Sequence, residues 1–316
     1  MVEIKRRVIQ IANSTQLISL PRKWTQRYGI KKGDELEIEE NNNKLTVKIE
    51  KEVELKSIEV DVTNLNRTMI LYYMQNLYRM GYDEVKVIFN NSLTKHLRTD
   101  KEVNVISVLH KEVNRLLGFE IIQQRDNFAL IKDISNSSIK EFDNVLRRVF
   151  LLLNDASTDL LKGVNELNTT LLETIEEKHD SITKFISYCL RLLNKYGYSD
   201  YKKTSVIYHI LGTLDRAADV FKYAARDLLK FKHKLNIKTI QLFEMIDKQI
   251  KLFSEFFFKF DLKKIDELYN NRNKFLVLLN QQSSKIPYDE LVLISRLGQA
   301  FELLLEMQVA RMGMEY

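Results

Sequence analysis

The chain of 316 residues has little of what interrupts or cross-links a backbone: 1 Cys, 2 Pro and 9 Gly. The lone Cys189 excludes an intrachain disulfide and a cysteine-based metal site, and fits a reducing compartment. So few enforced breaks favour long helices over a many-turned β architecture. Long apolar stretches are missing too. The runs Val149 to Leu153 and Phe256 to Phe258 fall far short of the ~20 residues that span a bilayer. Lys5, Arg6 and Arg7 are not followed by the apolar core of a secretory leader, so the expectation is a cytoplasmic protein without a membrane span.

What is there is a composition fit for folding, 45% hydrophobic and 29% charged. At a typical domain size of about 150 residues, the length predicts two or three domains. The formal charge is +6, from 49 basic and 43 acidic side chains. So small an excess points to nucleic acid only where it is concentrated on one surface.

Three regions differ in pattern: 1–53, 54–134 and 135–316. In the first, residues 4–11 and 15–20 read as strands separated by Ala12-Asn13-Ser14. Pro21 opens a short helix to Tyr28, and Gly29 closes it. The turn Lys31-Lys32-Gly33-Asp34 leads to two alternating strands, 35–39 and 44–49, joined through Asn41-Asn42-Asn43. So short a segment has too little core to stand alone, and interleaving with a second copy completes it. The spacing of Trp24 and Tyr28 marks Trp24 as a cover for the sheet rather than a base-stacking ring.

Residues 4–49, with Asn13-Ser14, Leu20-Pro21, Trp24 and the Gly29-to-Asp34 turn, resemble the AbrB, MazE and SpoVT swapped-hairpin family. The resemblance implies a dimer that lays a β-rich surface on DNA. Lys5, Arg6, Arg7, Arg22 and Lys23 occupy the places of the family's DNA contacts. Ten such cations per dimer suffice for salt-sensitive phosphate binding, and arginines also read guanine edges. The other reading, solvated charges on a module that only dimerises, stays open.

The middle region reads as a small α/β domain: strand 57–62, helix 65–80, strand 84–89, helix 100–117 and a hairpin, 119–124 with 127–132. It has no Gly-rich phosphate loop, His or Cys cluster or nucleophile elbow, so it reads as a spacer or ligand-sensing module.

From Ser135 the apolar spacing predicts helices over 138–162, 169–196, 203–232, 237–259, 261–282 and 287–314. His179 and Cys189 fall within the apolar seam of the second and read as core. The six helices align as two triplets: Phe142, Val145, Val149 and Leu152 match Phe243, Ile246, Ile250 and Phe253, for example. The run Leu214-Asp215-Arg216-Ala217-Ala218-Asp219 resembles the Glu-Arg-Ile-Gly-Asp signature of the PhoU family. That resemblance implies a fold of two three-helix repeats. An AbrB domain ahead of a PhoU region recurs in archaeal phosphate uptake regulators.

The PhoU resemblance also implies a divalent or trivalent metal, iron, zinc or magnesium, held by carboxylate pairs on the second and third helices of a repeat. Carboxylates at i and i+4 share one helix face. The first repeat has Glu176 with Asp180 and Asp215 with Asp219; the second has Asp266 with Asn270, and Ser295 with Gln299. Metal is therefore expected in the first repeat or in neither, the alternative being acids flanking a core seam. The expected whole is a mainly α, non-enzymatic, DNA-binding transcription regulator tied to phosphate uptake. The alternative is a PhoU-type adaptor for a phosphate transporter or signalling kinase, its N-terminal domain only dimerising. A metal-dependent hydrolase would rest on the four carboxylates alone, with no general base or phosphate clamp beside them.

Overall fold

The computed structural model describes residues 5–11, 15–41, 44–48, 55–135 and 138–315. The chain divides into two compact units, residues 1–54 and 55–316.

In the first unit β1 (Ile9–Ile11) pairs antiparallel with β2 (Thr15–Leu17), Ile9 opposite Leu17. Helix α1 (Arg22–Arg27) starts behind Pro21, whose carbonyl accepts the Trp24 and Thr25 amides. Gly29 and Gly33, at φ +61° and +99°, make the turns toward β3 (Glu37–Asn41), which pairs antiparallel with β4 (Lys44–Lys48). The element order is the expected one. The first two strands are shorter than expected, because residues 5–8 and 18–20 find no ladder partner within one chain. Ile4, the turns at Ala12-Asn13-Ser14 and Asn42-Asn43, and the junction 51–54 lie outside the described residues.

No residue of this unit whose side chain is described is buried. Ile9, Ile11 and Leu17 on the first hairpin and Ile38 and Leu45 on the second are 43–64% exposed. Apolar side chains spread over short hairpins gain nothing from the hydrophobic effect until another surface covers them.

The second unit begins with a four-stranded sheet of order β5-β6-β10-β9. β5 (Ser57–Asp61) runs parallel to β6 (Glu84–Ile88), while β10 (Phe128–Asp133) lies antiparallel between β6 and β9 (Phe119–Arg125). A parallel pair needs a crossover. Helix α2 (Arg67–Arg79) supplies it, capped by the Asn66 side chain, which accepts the Thr68 and Met69 amides. Its buried face, Ile70, Met74, Leu77 and Tyr78, repeats at three- and four-residue spacing.

The expected helix over 100–117 is corrected here. Residues 101–104 form β8 (Lys101–Asn104), paired with β7 (Leu93–His96), and α3 (Val105–Val113) starts only after Asn104, whose side chain caps the Ser107 amide. Lys101-Glu102-Val103 carries no periodicity of its own, so the capping asparagine sets the boundary.

Six long helices follow among the described residues: α4 (Phe142–Glu166), α5 (Thr169–Tyr196), α6 (Thr204–Leu228), α7 (Ile237–Phe258), α8 (Leu262–Gln282) and α9 (Tyr288–Met312). Their apolar stripes interlock: α5 packs between α4 and α6, and α7 and α9 close the bundle against α4 and α6. Phe150 of α4 meets Phe253 and Phe257 of α7 at ring distances of 6.1 and 4.6 Å. Gly298 lets Phe275 of α8 approach α9, since a Cβ there would stand 2.9 Å from that ring. The molecule is mainly helical, and no helix of the described residues is long and apolar enough to cross a membrane.

The sheet and the bundle, read from the sequence as separate domains, share one compact unit, and a buried arginine joins them. Arg191 of α5 is fully inaccessible. Its guanidinium donates to the carbonyls of Tyr78 and Tyr82 at 3.0 and 2.7 Å, and to Asp83 and Asp133 at 2.9 and 2.7 Å. The rings of Tyr78 and Phe119 flank it at 4.8 and 5.2 Å. Lys195, one helical turn on, also donates to Asp83 at 2.5 Å. Arg191→Met should cost about 3–5 kcal/mol, because it strands the Asp133 carboxylate in a buried site. Chemical denaturation checks this, and an unchanged midpoint would show that the node carries no stability.

Candidate nucleic-acid interface and carboxylate cluster

Two groups of charged residues are candidates for function, one in each unit. In the first unit, Lys5, Arg6 and Arg7 lead into β1, while Arg22 and Lys23 open α1 behind Pro21. All five side chains are exposed, and none has an acidic partner among the described residues. The local sequence dictates this: Pro21 sets the helix start, which places both basic residues in the first turn. A first turn favours anions, and α1 has no acidic residue there. Cations kept there without acidic partners are open to a phosphate. Trp24 is half-buried and packs on Tyr28 at 5.8 Å, as a cover residue does.

In the second unit, Glu176 and Asp180 project from α5 and Asp215 and Asp219 from α6. Each already holds a cation. Glu176 pairs with Arg226 through both carboxylate oxygens, its Oε2 accepting from Nε at 3.0 Å. Asp180 accepts from Arg115 at 2.6 Å and Asp215 from Arg79 at 2.8 Å. Asp219 is paired with Lys222 and with His179 Nε2, the latter at 3.0 Å. Thr183 Oγ1 adds a bond to Asp215 at 2.9 Å.

The expected metal therefore does not fit these residues as they stand. Among the described residues no group of three or more His, Cys, Asp or Glu is arranged to hold a metal ion. The physical reason is that Arg79 comes from α2, and Arg115 from the turn after α3. The α/β layer brings two guanidinium groups onto the acidic face of the bundle and supplies the charge that a metal would have brought.

Electrostatics follow from this pairing. The Arg226 hydrogen bond holds Glu176 below the usual carboxylate range. Burial pushes Asp219 up, but His179 and Lys222 outweigh it and bring the group to about 2. Burial likewise pushes Asp180 up, and His179 and Arg115 pull it below its ordinary value. Burial disfavours the charged form of His179, yet hydrogen bonds to Asp180 and Asp219 raise its proton affinity overall. His179 is thus buried, as expected, but as the bridge between two acids rather than as an apolar filler. Cys189 is fully buried among apolar neighbours, its thiol pushed up to about 12 by burial.

Three residues at this contact had escaped the sequence reading: Arg79, Arg115 and Glu112. Glu112 sits on the buried face of α3 at 2% exposure, and burial raises its carboxyl to about 7 against the pull of Arg115, Arg79 and Arg67. A charge at an apolar position of an amphipathic helix, as in Val108-Leu109-His110-Lys111-Glu112-Val113, was the available signal.

The comparisons with known proteins bear on the first unit. Two short hairpins around one short helix, exposing both their apolar residues and their cations, define a small module. The family described as antidote-toxin recognition MazE, bacterial antitoxin, has a model that matches residues 9–55. The N-terminal segment is thus similar to the MazE family, one of those it was expected to resemble. No curated protein and no solved structure matches the chain.

Glu112 and His179 both bind a proton more tightly in the folded state. Glu112 therefore contributes a stability that falls as pH rises from 4.5 to about 7, and His179 one that is lost as pH rises through its raised value. The lowered acids, Asp219 among them, act in the opposite sense at lower pH. The unfolding midpoint should thus fall between pH 5 and 8. Glu112→Gln should flatten that fall by about 3 kcal/mol at most. Denaturation curves at several pH values check it, and a parallel decline in parent and variant would exclude Glu112 as the source.

Proposed function

We propose that this chain is a dimeric, DNA-binding transcription regulator whose N-terminal units pair to form the DNA-contacting surface. The observation that carries the reading is the MazE-type segment at residues 9–55 together with five exposed, acid-free cations around β1 and α1. A dimer is supported by the first unit itself, in which no residue with a described side chain is buried. Pairing two copies covers the exposed isoleucines and leucines, and sets ten basic side chains on one symmetric body.

The link to phosphate uptake rests on the likeness of the six-helix region to PhoU, whose two-repeat organisation matches the helix count and order. On this reading the bundle receives a signal from a partner protein, and the α/β layer clamped to it belongs to the same rigid receiver. Because the acidic face is already neutralised by Arg79, Arg115, Arg226 and Lys222, the signal is assigned to a protein partner rather than to a metal. A cytoplasmic location follows from the same reading.

Changing Arg6, Arg7 and Arg22 to Ala should lower duplex affinity by orders of magnitude and leave the dimer intact. The slope of log affinity against log salt should become shallower by about 0.9 for each lost phosphate contact. Titration of labelled duplex at several salt concentrations measures both. Equal binding by parent and variant would favour the adaptor reading, in which the first unit only dimerises.

Removing residues 1–50 should leave a folded, mainly monomeric bundle, because the buried core of the second unit begins at Val60. Light scattering decides this, and an equally tight dimer of the truncated protein would move the interface elsewhere. Sequencing of genomic DNA recovered with the full chain tests the phosphate link, through the promoters that are enriched.

A further inference from the structure

The α/β layer carries a second concentration of positive charge, outside the contact with the bundle. Arg67 stands in the first turn of α2, His96 ends β7, Arg98 lies in the β7–β8 turn and Lys111 is on α3. The fold draws them together. Thr94 Oγ1 donates to the Leu65 carbonyl at 2.7 Å, which pins β7 to the loop before α2, and α2 packs on α3. Arg98 and Lys111 are exposed and Arg67 is half-buried.

Elsewhere in this layer cations are commonly matched with acids: Lys86 with Glu59 at 2.7 Å, Lys95 with Asp100 at 2.9 Å and Lys132 with Glu84 at 3.7 Å. Arg67, Arg98 and Lys111 are not, and among the described residues none of the three holds an ion pair. Their charges are felt locally. Desolvation, then Arg67, Arg98 and Lys111, hold His96 below its ordinary value, and Arg67 is itself lowered by desolvation and by Arg115 and Arg98, Glu112 opposing. Like charges gathered on a surface raise the free energy of the isolated protein, and an anion that settles on them relieves it. Tyr72, 55% exposed and close enough to act on Arg67, adds a hydroxyl and a ring face.

We infer that Arg67, His96, Arg98 and Lys111 form a second phosphate-contacting surface for duplex DNA, separate from the N-terminal unit. Cations set on two helices and a hairpin turn suit a row of backbone phosphates, where arginine, lysine and tyrosine position a duplex without reading its sequence. The choice of DNA as the polyanion rests on the function proposed above. Binding there carries a proton signature. His96 faces Arg67 on α2, Lys111 on α3, and Arg98, Thr99 and Lys101 on its own hairpin, so phosphates that neutralise these cations make it easier to protonate. By reciprocity the surface binds DNA more tightly at pH 6 than at pH 8.

The test compares four full-length proteins on one duplex of arbitrary sequence: the parent, Arg67→Ala/Arg98→Ala/Lys111→Ala, Arg6→Ala/Arg7→Ala/Arg22→Ala, and the two sets combined. The first set should weaken binding about tenfold or more near 50 mM salt and reduce the salt slope by about 2 to 3. The double change at the exposed Arg98 and Lys111 serves as a second variant should Arg67→Ala disturb α2. An NMR titration of His96 in the parent should show its protonation midpoint rising when duplex is added. Unchanged affinity and slope in both patch variants overturn the inference, as does a response with poly-glutamate but not with DNA. Loss only in the N-terminal set leaves the proposed function standing and removes the second surface. Loss only in the patch set does the reverse.

Discussion

The second unit is organised around one buried charge. Arg191 lies inside the protein, where an unpaired cation would be prohibitively costly, and the elements around it supply acceptors to both its Nη1 and Nη2, leaving only Nε without a partner. The ends of α2 and β10 and the loop before β6 bring two carbonyls and two carboxylates to its guanidinium, and two aromatic rings close over it. Such a node adds little net stability compared with an apolar substitute of the whole group, but removing one partner strands the charge of the others. It fixes how the sheet sits on α5, and so positions α2 and α3 over α5 and α6.

The ion pairs on the neighbouring face follow from that placement. With α2 and α3 held there, Arg79 and Arg115 fall opposite Asp215 and Asp180. Of the four carboxylates that look like a ligand set along two helices, Asp180 and Asp215 become the acidic half of an internal interface, while Glu176 and Asp219 pair with Arg226, Lys222 and His179 of the bundle itself. Burial of Glu112 in the same interface pushes its carboxyl up to about 7, while hydrogen bonds to Asp180 and Asp219 make His179 of the bundle hold its proton more tightly than usual. The strength of that contact is thereby tied to pH.

The two units solve the problem of burial differently. The second has a continuous core from Val60 to Met307 and is sufficient in itself. The first spreads its isoleucines and leucines over solvent-facing hairpins, and completing it requires a second surface. The exposed apolar residues thus lie in the same unit as the cations Lys5, Arg6, Arg7, Arg22 and Lys23.

Local patterns were enough to read the helical part. The interval 169–196 was legible to the residue as α5, because a seam at three- and four-residue spacing, begun by Asn168 and ended by Gly197, depends only on neighbours along the chain. The order of elements in the first unit was equally open, since Pro21, Gly29 and Gly33 act on their own backbone. The β7–β8 hairpin was not, because Lys101 to Asn104 is a strand only through pairing with Leu93 to His96. The acids Glu176, Asp180, Asp215 and Asp219 could be found by spacing, but their role could not. Asp215 meets an arginine 136 residues away and Asp180 one 65 residues away, distances that no periodicity spans. The sequence determined by itself where the long helices of the bundle run, where the basic residues of the first unit lie and which unit lacks a core. Tertiary structure alone decided what neutralises each buried charge, because Coulomb energy depends on separation in space, and the fold sets that separation.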